Sequence, residues 1–236
     1  MAPHDVLLIR NVRRAYTGLR PLRLNNLAIA PGERVAVSGL DSGAAELLVN
    51  LVTGASIPDQ GDVFVFGQRT ASISDGEAWL ASLDRFGIVT PRAVLLDFAT
   101  LQQNLAMPIT LDIEPVPPDV AAQVARLARD AGISAEWLDR PIAALDAAMR
   151  ARAHLARAVA LDPSLLVIEH PTVGFAPGEG RSFGEVVARV AGARQLTTLI
   201  ISEDVEFSAA AATRRLVLQA ATGELKPTKR RLFGLL

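Results

Sequence analysis

Cysteine is absent from this chain of 236 residues. Disulfides and thiolate chemistry are therefore excluded, and the composition fits a reducing compartment. Lysine is almost absent too. The chain has 24 basic residues, yet its only lysines are Lys226 and Lys229, near the C-terminus. Chemistry that needs a lysine ammonium elsewhere in the chain is ruled out. No uncharged apolar run reaches membrane-spanning length, so contact with a bilayer is expected to go through a partner. The first residues, Met-Ala-Pro-His-Asp, lack the basic and apolar regions of a secretion signal. A net charge of -1 gives no bulk attraction to nucleic acid, and none is expected as a partner.

What is present is a globular composition, with 50% hydrophobic residues over a length that allows one sizeable core, or a core with a lobe. Strands are expected at Val6–Ile9, Leu22–Ala30, Arg34–Ser38, Asp62–Phe66, Phe86–Val89, Leu165–Ile168, Thr197–Ser202 and Leu216–Gln219. Helices are expected at Ala44–Val52, from Pro118 to about Ala131, at Ala147–Leu161, at about 179–191 and at Val205–Ala212. Alternating strands and helices predict a doubly wound α/β core. The Pro-punctuated segment from Ala93 to about Ala148 reads as an inserted helical lobe.

The organising stretch is Arg34-Val-Ala-Val-Ser-Gly39-Leu-Asp-Ser-Gly43-Ala44-Ala45-Glu46. A strand, a tight turn and a helix form the frame of a phosphate-binding loop, G-x-x-x-x-G-K-[ST], whose backbone N–H groups face phosphate. Gly39 opens the pattern in register. Ala44 then stands at the second Gly, Ala45 at the Lys and Glu46 at the Mg²⁺-binding hydroxyl. Two unit charges about 4 Å apart interact by roughly 4 kcal/mol at an effective dielectric near 20, so exchanging a cation for an acid here is a large change. Asp41, Ser42 and Glu46 can satisfy the free N–H groups of the helix, either as ordinary caps or as an internal substitute for phosphate.

The order of motifs resembles the nucleotide-binding (ATPase) subunit of ABC transporters over essentially the whole length. The residues that carry the resemblance are Tyr16, the run from Pro31 to Gly39, Asp59-Gln-Gly61, Thr100 to Pro108, Arg152 to Ala158, Asp162 to Ile168 and Pro171-Thr-Val-Gly174. The resemblance implies a P-loop NTPase-like (RecA-like) core, an antiparallel β subdomain and an inserted α-helical subdomain. The core would cover about 1–91 and 150–224, the helical lobe about 92–149 and a tail 225–236.

Mapped by that resemblance, the functional positions differ almost one by one. Tyr16 holds the adenine-stacking place and Gly43 lies within the loop. Pro91 replaces the Mg²⁺-sensing Gln. Leu145, Asp146, Ala147, Ala148 and Met149 replace the L-S-G-G-Q signature. Glu169 replaces the metal-binding Asp, His170 the catalytic Glu, Ala176 an Asp, and Glu203 the switch His. Phosphoryl transfer depends on positive charge set against the phosphates. These positions are thus vestigial, with no catalytic residue or resident metal expected, and the family ligand, ATP with Mg²⁺, is not expected to bind this chain.

Two site arrangements follow as expectations. His170 and Glu203 would hydrogen-bond each other across the site, or Glu46, Glu169, His170 and Glu203 would point into one cavity and suit a transition metal. The leading function is a non-hydrolysing structural or regulatory subunit. It would be peripheral to the inner face of the membrane through a permease and paired with an intact ABC ATPase or a second copy. A soluble scaffold or regulator with the same fold is one alternative, and an unusual active ATPase is the other. His154 reads as a packing or surface histidine. The basic, then apolar tail Lys226–Leu236 reads as a docking segment or a free terminus.

Overall fold

The computed structural model describes residues 5–18, 20–73 and 75–228. Two strands with apolar alternation, β1 (Leu7–Arg14) and β2 (Leu22–Ile29), pair antiparallel from Leu7 opposite Ile29 to Arg14 opposite Leu22. With β4 (Gln60–Val65) and β5 (Gln68–Arg69) they form a sheet in the order β2-β1-β4-β5. β1 runs to Arg14, well past the expected end at Ile9, because its later residues still ladder with β2 although Arg10, Asn11 and Arg13 are polar and exposed.

The second sheet is built on β3 (Arg34–Ser38), β6 (Phe86–Val89), β7 (Leu165–Glu169), β8 (Thr197–Ile201), β9 (Arg214–Gln219) and β10 (Glu224–Pro227). Its order is β10-β9-β3-β8-β7-β6; β9, β3, β8, β7 and β6 are paired in parallel, and β10 lies antiparallel on β9. Every residue of β7 and β8 is buried, as a parallel sheet covered on both faces requires. Alternate residues feed two cores. Val35, Val37 and Leu199 face α1 (Ser42–Val52) and the antiparallel sheet, while Ala36, Leu166 and Ile200 face the remaining helices.

Those helices include α5 (Ala147–Ala158), α6 (Glu179–Ala193) and α7 (Val205–Ala211). The segment 92–146 holds less helix than its pattern predicts: α3 (Leu101–Ala106), α4 (Pro118–Asp130) and two short 3-10 turns. Its prolines interrupt the rest. A helix not expected from the sequence, α2 (Gly76–Leu83), has no buried residue and so carries little apolar periodicity; it is capped by Asp75. The expected tail begins inside the sheet, since Leu225–Pro227 belong to β10. Residues 229–236, including Lys229, lie outside the described residues. Among the described residues no helix is long and apolar enough to cross a membrane.

Candidate functional site

The site forms where β3, β7 and β8 end and their loops begin. β3 turns into α1 through Gly39, whose φ is 87°; a Cβ there would lie 2.6 Å from the Leu218 carbonyl oxygen. Only glycine meets both demands. Asp41 then caps α1, its Oδ1 accepting the Ala44 N–H at 2.8 Å. Its Oδ2 accepts the Tyr16 hydroxyl at 3.0 Å. The Tyr16 ring lies against the turn, so that a Cβ on Gly43 would be 3.1 Å from ring carbons. Burial, followed by the Asp41 hydrogen bond and charge, raises the Tyr16 hydroxyl pKa above its ordinary value. Tyr16 is therefore a packed aromatic held by the loop. Ala44 and Ala45 are core residues, and the side chain of Glu46 is about half exposed.

Glu203 completes the turn. Its Oε1 accepts the Gly39 N–H at 2.7 Å and the Leu40 N–H at 3.2 Å. A carboxylate thus sits on the first donors of a loop whose backbone geometry suits an anion. This overturns the expected His170–Glu203 hydrogen bond: the Glu203 carboxylate turns to the two backbone donors, and His170 Nε2 is left without a partner. His170 lies at a left-handed turn after β7 (φ 39°), its N–H donates to the Ile201 carbonyl, and its Nε2 is buried without a partner.

Glu169, at the end of β7, has a side chain only 3% exposed. A buried carboxylate needs a counter-charge, and Arg92 supplies it. Its Nη1 and Nη2 donate to Oε1 and Oε2 of Glu169, each at 2.7 Å, while Thr90 Oγ1 donates to Oε2 at 3.0 Å. The same Nη1 lies 3.3 Å from Glu46 Oε2. Two acids at positions that the resemblance assigns to a metal therefore share one guanidinium in fork geometry. Sequence reasoning missed Arg92. The available signal was charge balance: inward acids without a lysine require an arginine, and Arg92 follows Thr90-Pro91 at the end of β6.

The four acid and histidine positions accordingly do not converge in one cavity. Glu46 and Glu169 meet on Arg92, Glu203 lies on the turn after β3, and His170 lines a cavity that none of the three acids lines. Among the described residues no group of three or more His, Cys, Asp or Glu could hold a metal ion. Pro91 and His170 instead line a cavity of about 170 Å³ with Ala147, Arg150 and His154. Burial, and then the charges of Arg157 and Arg150, lower the His154 pKa to about 4.

The signature positions lie at the start of α5. Asp146 caps it, accepting the Met149 N–H at 2.7 Å, and Leu145 is buried behind. Ala147 packs close to Gly174, where an added Cβ would lie 3.5 Å from its own. Ala148 follows in the first turn, half-buried.

Comparison with known proteins agrees with this architecture. The family model described as "ABC transporter" matches residues 22–173. The methionine import ATP-binding protein MetN of Mesorhizobium japonicum is 26% identical over 93% of this chain, which spans 59% of that protein's length. The lipoprotein-releasing system ATP-binding protein LolD of Psychrobacter arcticus is 26% identical over 82% of this chain and 85% of its own length. Among solved structures, a bacterial ABC transporter cassette determined as a dimer superposes with a TM-score of 0.76 at 18% identity, over 94% of this chain and 99% of that one. The cbiO1 protein of Clostridium perfringens, part of the ABC transporter complex cbiONQ, gives 0.78 at 18% identity, over 94% and 87%. The order of strands and loops, the turn at Gly39 and the match across residues 22–173 lead to one conclusion: this chain belongs to the ABC transporter family, as an ATP-binding cassette with the P-loop NTPase fold.

Proposed function

We propose that the chain is a non-hydrolysing, structural or regulatory cassette of a membrane transport complex. The observation that carries this reading is the Glu203 carboxylate on the Gly39 and Leu40 N–H groups, in a loop whose lysine position is the buried Ala45. ATP with Mg²⁺ is the family's ligand, and these residues do not fit it. The first donors of the loop are answered by an acid, Asp41 answers the Ala44 N–H, and no lysine cation is supplied. Electrostatic stabilisation of a transferring phosphoryl group needs prearranged positive charge, and here the prearranged groups are carboxylates.

Import and release systems named among the relatives support assembly with a permease and with an intact cassette or a second copy. That would place the chain on the inner face of the membrane through its partner. The signature positions support the same reading from the other direction. Asp146 would present a carboxylate, not a hydroxyl, to a nucleotide bound by a facing cassette.

The test is turnover. Phosphate release from Mg-ATP should stay at background for the purified chain. In a complex co-purified from membranes, it should be unchanged by Glu169→Gln in this chain. Release that disappears with Glu169→Gln would contradict the proposal. Failure to recover any permease or cassette partner would favour the soluble scaffold instead.

A further inference from the structure

We infer that Arg92 is the resident cation of this site, a built-in guanidinium that takes the place of a divalent ion between Glu46 and Glu169. The inference rests on the reading of the site as vestigial and adds what keeps it closed. Three observations carry it.

Glu169 is almost fully buried, and every polar contact of its carboxylate is internal: two guanidinium nitrogens and the Thr90 hydroxyl. A hard cation would find its oxygens already engaged. Next, one nitrogen of the guanidinium serves both acids, at 2.7 Å from Glu169 and 3.3 Å from Glu46. A single charge centre bridging two carboxylates is the task that a divalent ion performs with oxygen ligands. Finally, the cation comes from the chain itself. The Arg92 N–H also reaches Thr90 Oγ1 at 3.3 Å, which ties the backbone just after β6 to the group that bonds Glu169.

Arg92 is thus a positioning and specificity-determining residue, and its effect has a sign that ordinary packing lacks. A structural salt bridge, when deleted, leaves a destabilised protein and no new affinity. A stand-in for a metal, when deleted, leaves two acids and a hydroxyl placed to receive one.

The experiment is Mn²⁺ titration of the full chain in the absence of nucleotide, followed by electron paramagnetic resonance. Wild type, Arg92→Ala, Arg92→Gln and Arg92→Lys are compared. The expected result is no saturable Mn²⁺ binding by wild type or Arg92→Lys, which keep the cation. Arg92→Ala and Arg92→Gln should each take up one ion with affinity at least about tenfold higher, and the ion should raise their melting temperatures. Glu169→Gln added to Arg92→Ala should abolish the gain. Folded Ala and Gln variants that gain no Mn²⁺ site would overturn the inference, as would wild type binding the ion as tightly as they do.

If neither neutral variant folds alone, refolding with and without Mn²⁺ decides the matter. Recovery only with the ion supports the resident-cation role, and no recovery counts against it. Hydrolysis by wild type would refute the proposed function without touching the Mn²⁺ comparison. Mn²⁺ binding by wild type would remove the role of Arg92 without restoring turnover.

Discussion

Glu169 ends β7 and Glu203 follows its parallel neighbour β8, and their surroundings are opposite. Glu169 is buried and held by a two-pronged guanidinium and a hydroxyl. Glu203 is exposed and rests on two backbone N–H groups of the turn after β3. One acid is part of the packed interior, where losing its partner leaves a charge without solvent. The other is a surface latch, where water can replace either partner. The same residue type therefore does two jobs: the buried end fixes the site's shape, and the exposed end covers its anion-binding turn.

The largest expected effect tests the buried end. Arg92→Ala should lower unfolding stability by about 3 kcal/mol, the low end of the range for breaking a buried pair, because Arg92 itself is partly exposed. Glu169→Ala should cost less, since the freed guanidinium keeps Glu46 and solvent. Urea midpoints read both, and equal costs would break the distinction.

The next effect depends on pH. His154 lies on α5 and faces the cavity beside His170 and Pro91. Its folded pKa is lowered from 6.5 to about 4, so between these values the unfolded chain binds the extra proton. The contribution of neutral His154 is whole above pH 6.5 and is lost as pH falls toward 4, on the order of 2 kcal/mol after allowance for partial exposure. Stability measured across that window should fall less steeply for His154→Gln. An unchanged slope would show that His154 does not titrate as buried.

Smaller effects belong to the exposed end. Glu203→Ala should cost about 1 kcal/mol, because two charge-assisted bonds are replaced by bonds to water. Amide exchange at Gly39 and Leu40 should accelerate, which reports release of the latch directly. Tyr16→Phe should cost only about 0.5 kcal/mol, since one exposed hydroxyl bond to Asp41 is lost while the ring stays packed. A cost for Tyr16→Phe above that for Glu203→Ala would reverse the order of the two contacts.

The scaffold was readable in the sequence because its signals are local. The continuous apolar run of β7, the turn at Gly39 and the cap at Asp41 each depend on a few neighbouring residues. The replacements within the loop, Ala44-Ala45-Glu46, were readable for the same reason. What stayed hidden is long-range charge pairing. The partner of Arg92, 77 positions later, is signalled only by the chain-wide charge balance, and nothing near Glu203 points back to Gly39, 164 positions earlier. The expected His170–Glu203 bond failed because it paired residues by their roles in relatives, while the carboxylate follows the nearest free backbone donors. Helix α2 escaped notice because it buries no side chain and so leaves no periodic trace.

Isothermal calorimetry of the purified wild-type chain titrated with Mg-ATP tests the account most directly. With the turn after β3 answered by Glu203 and the acids answered by Arg92, the heats should show no saturable binding at millimolar nucleotide. A saturating isotherm with one nucleotide per chain and micromolar affinity would contradict it.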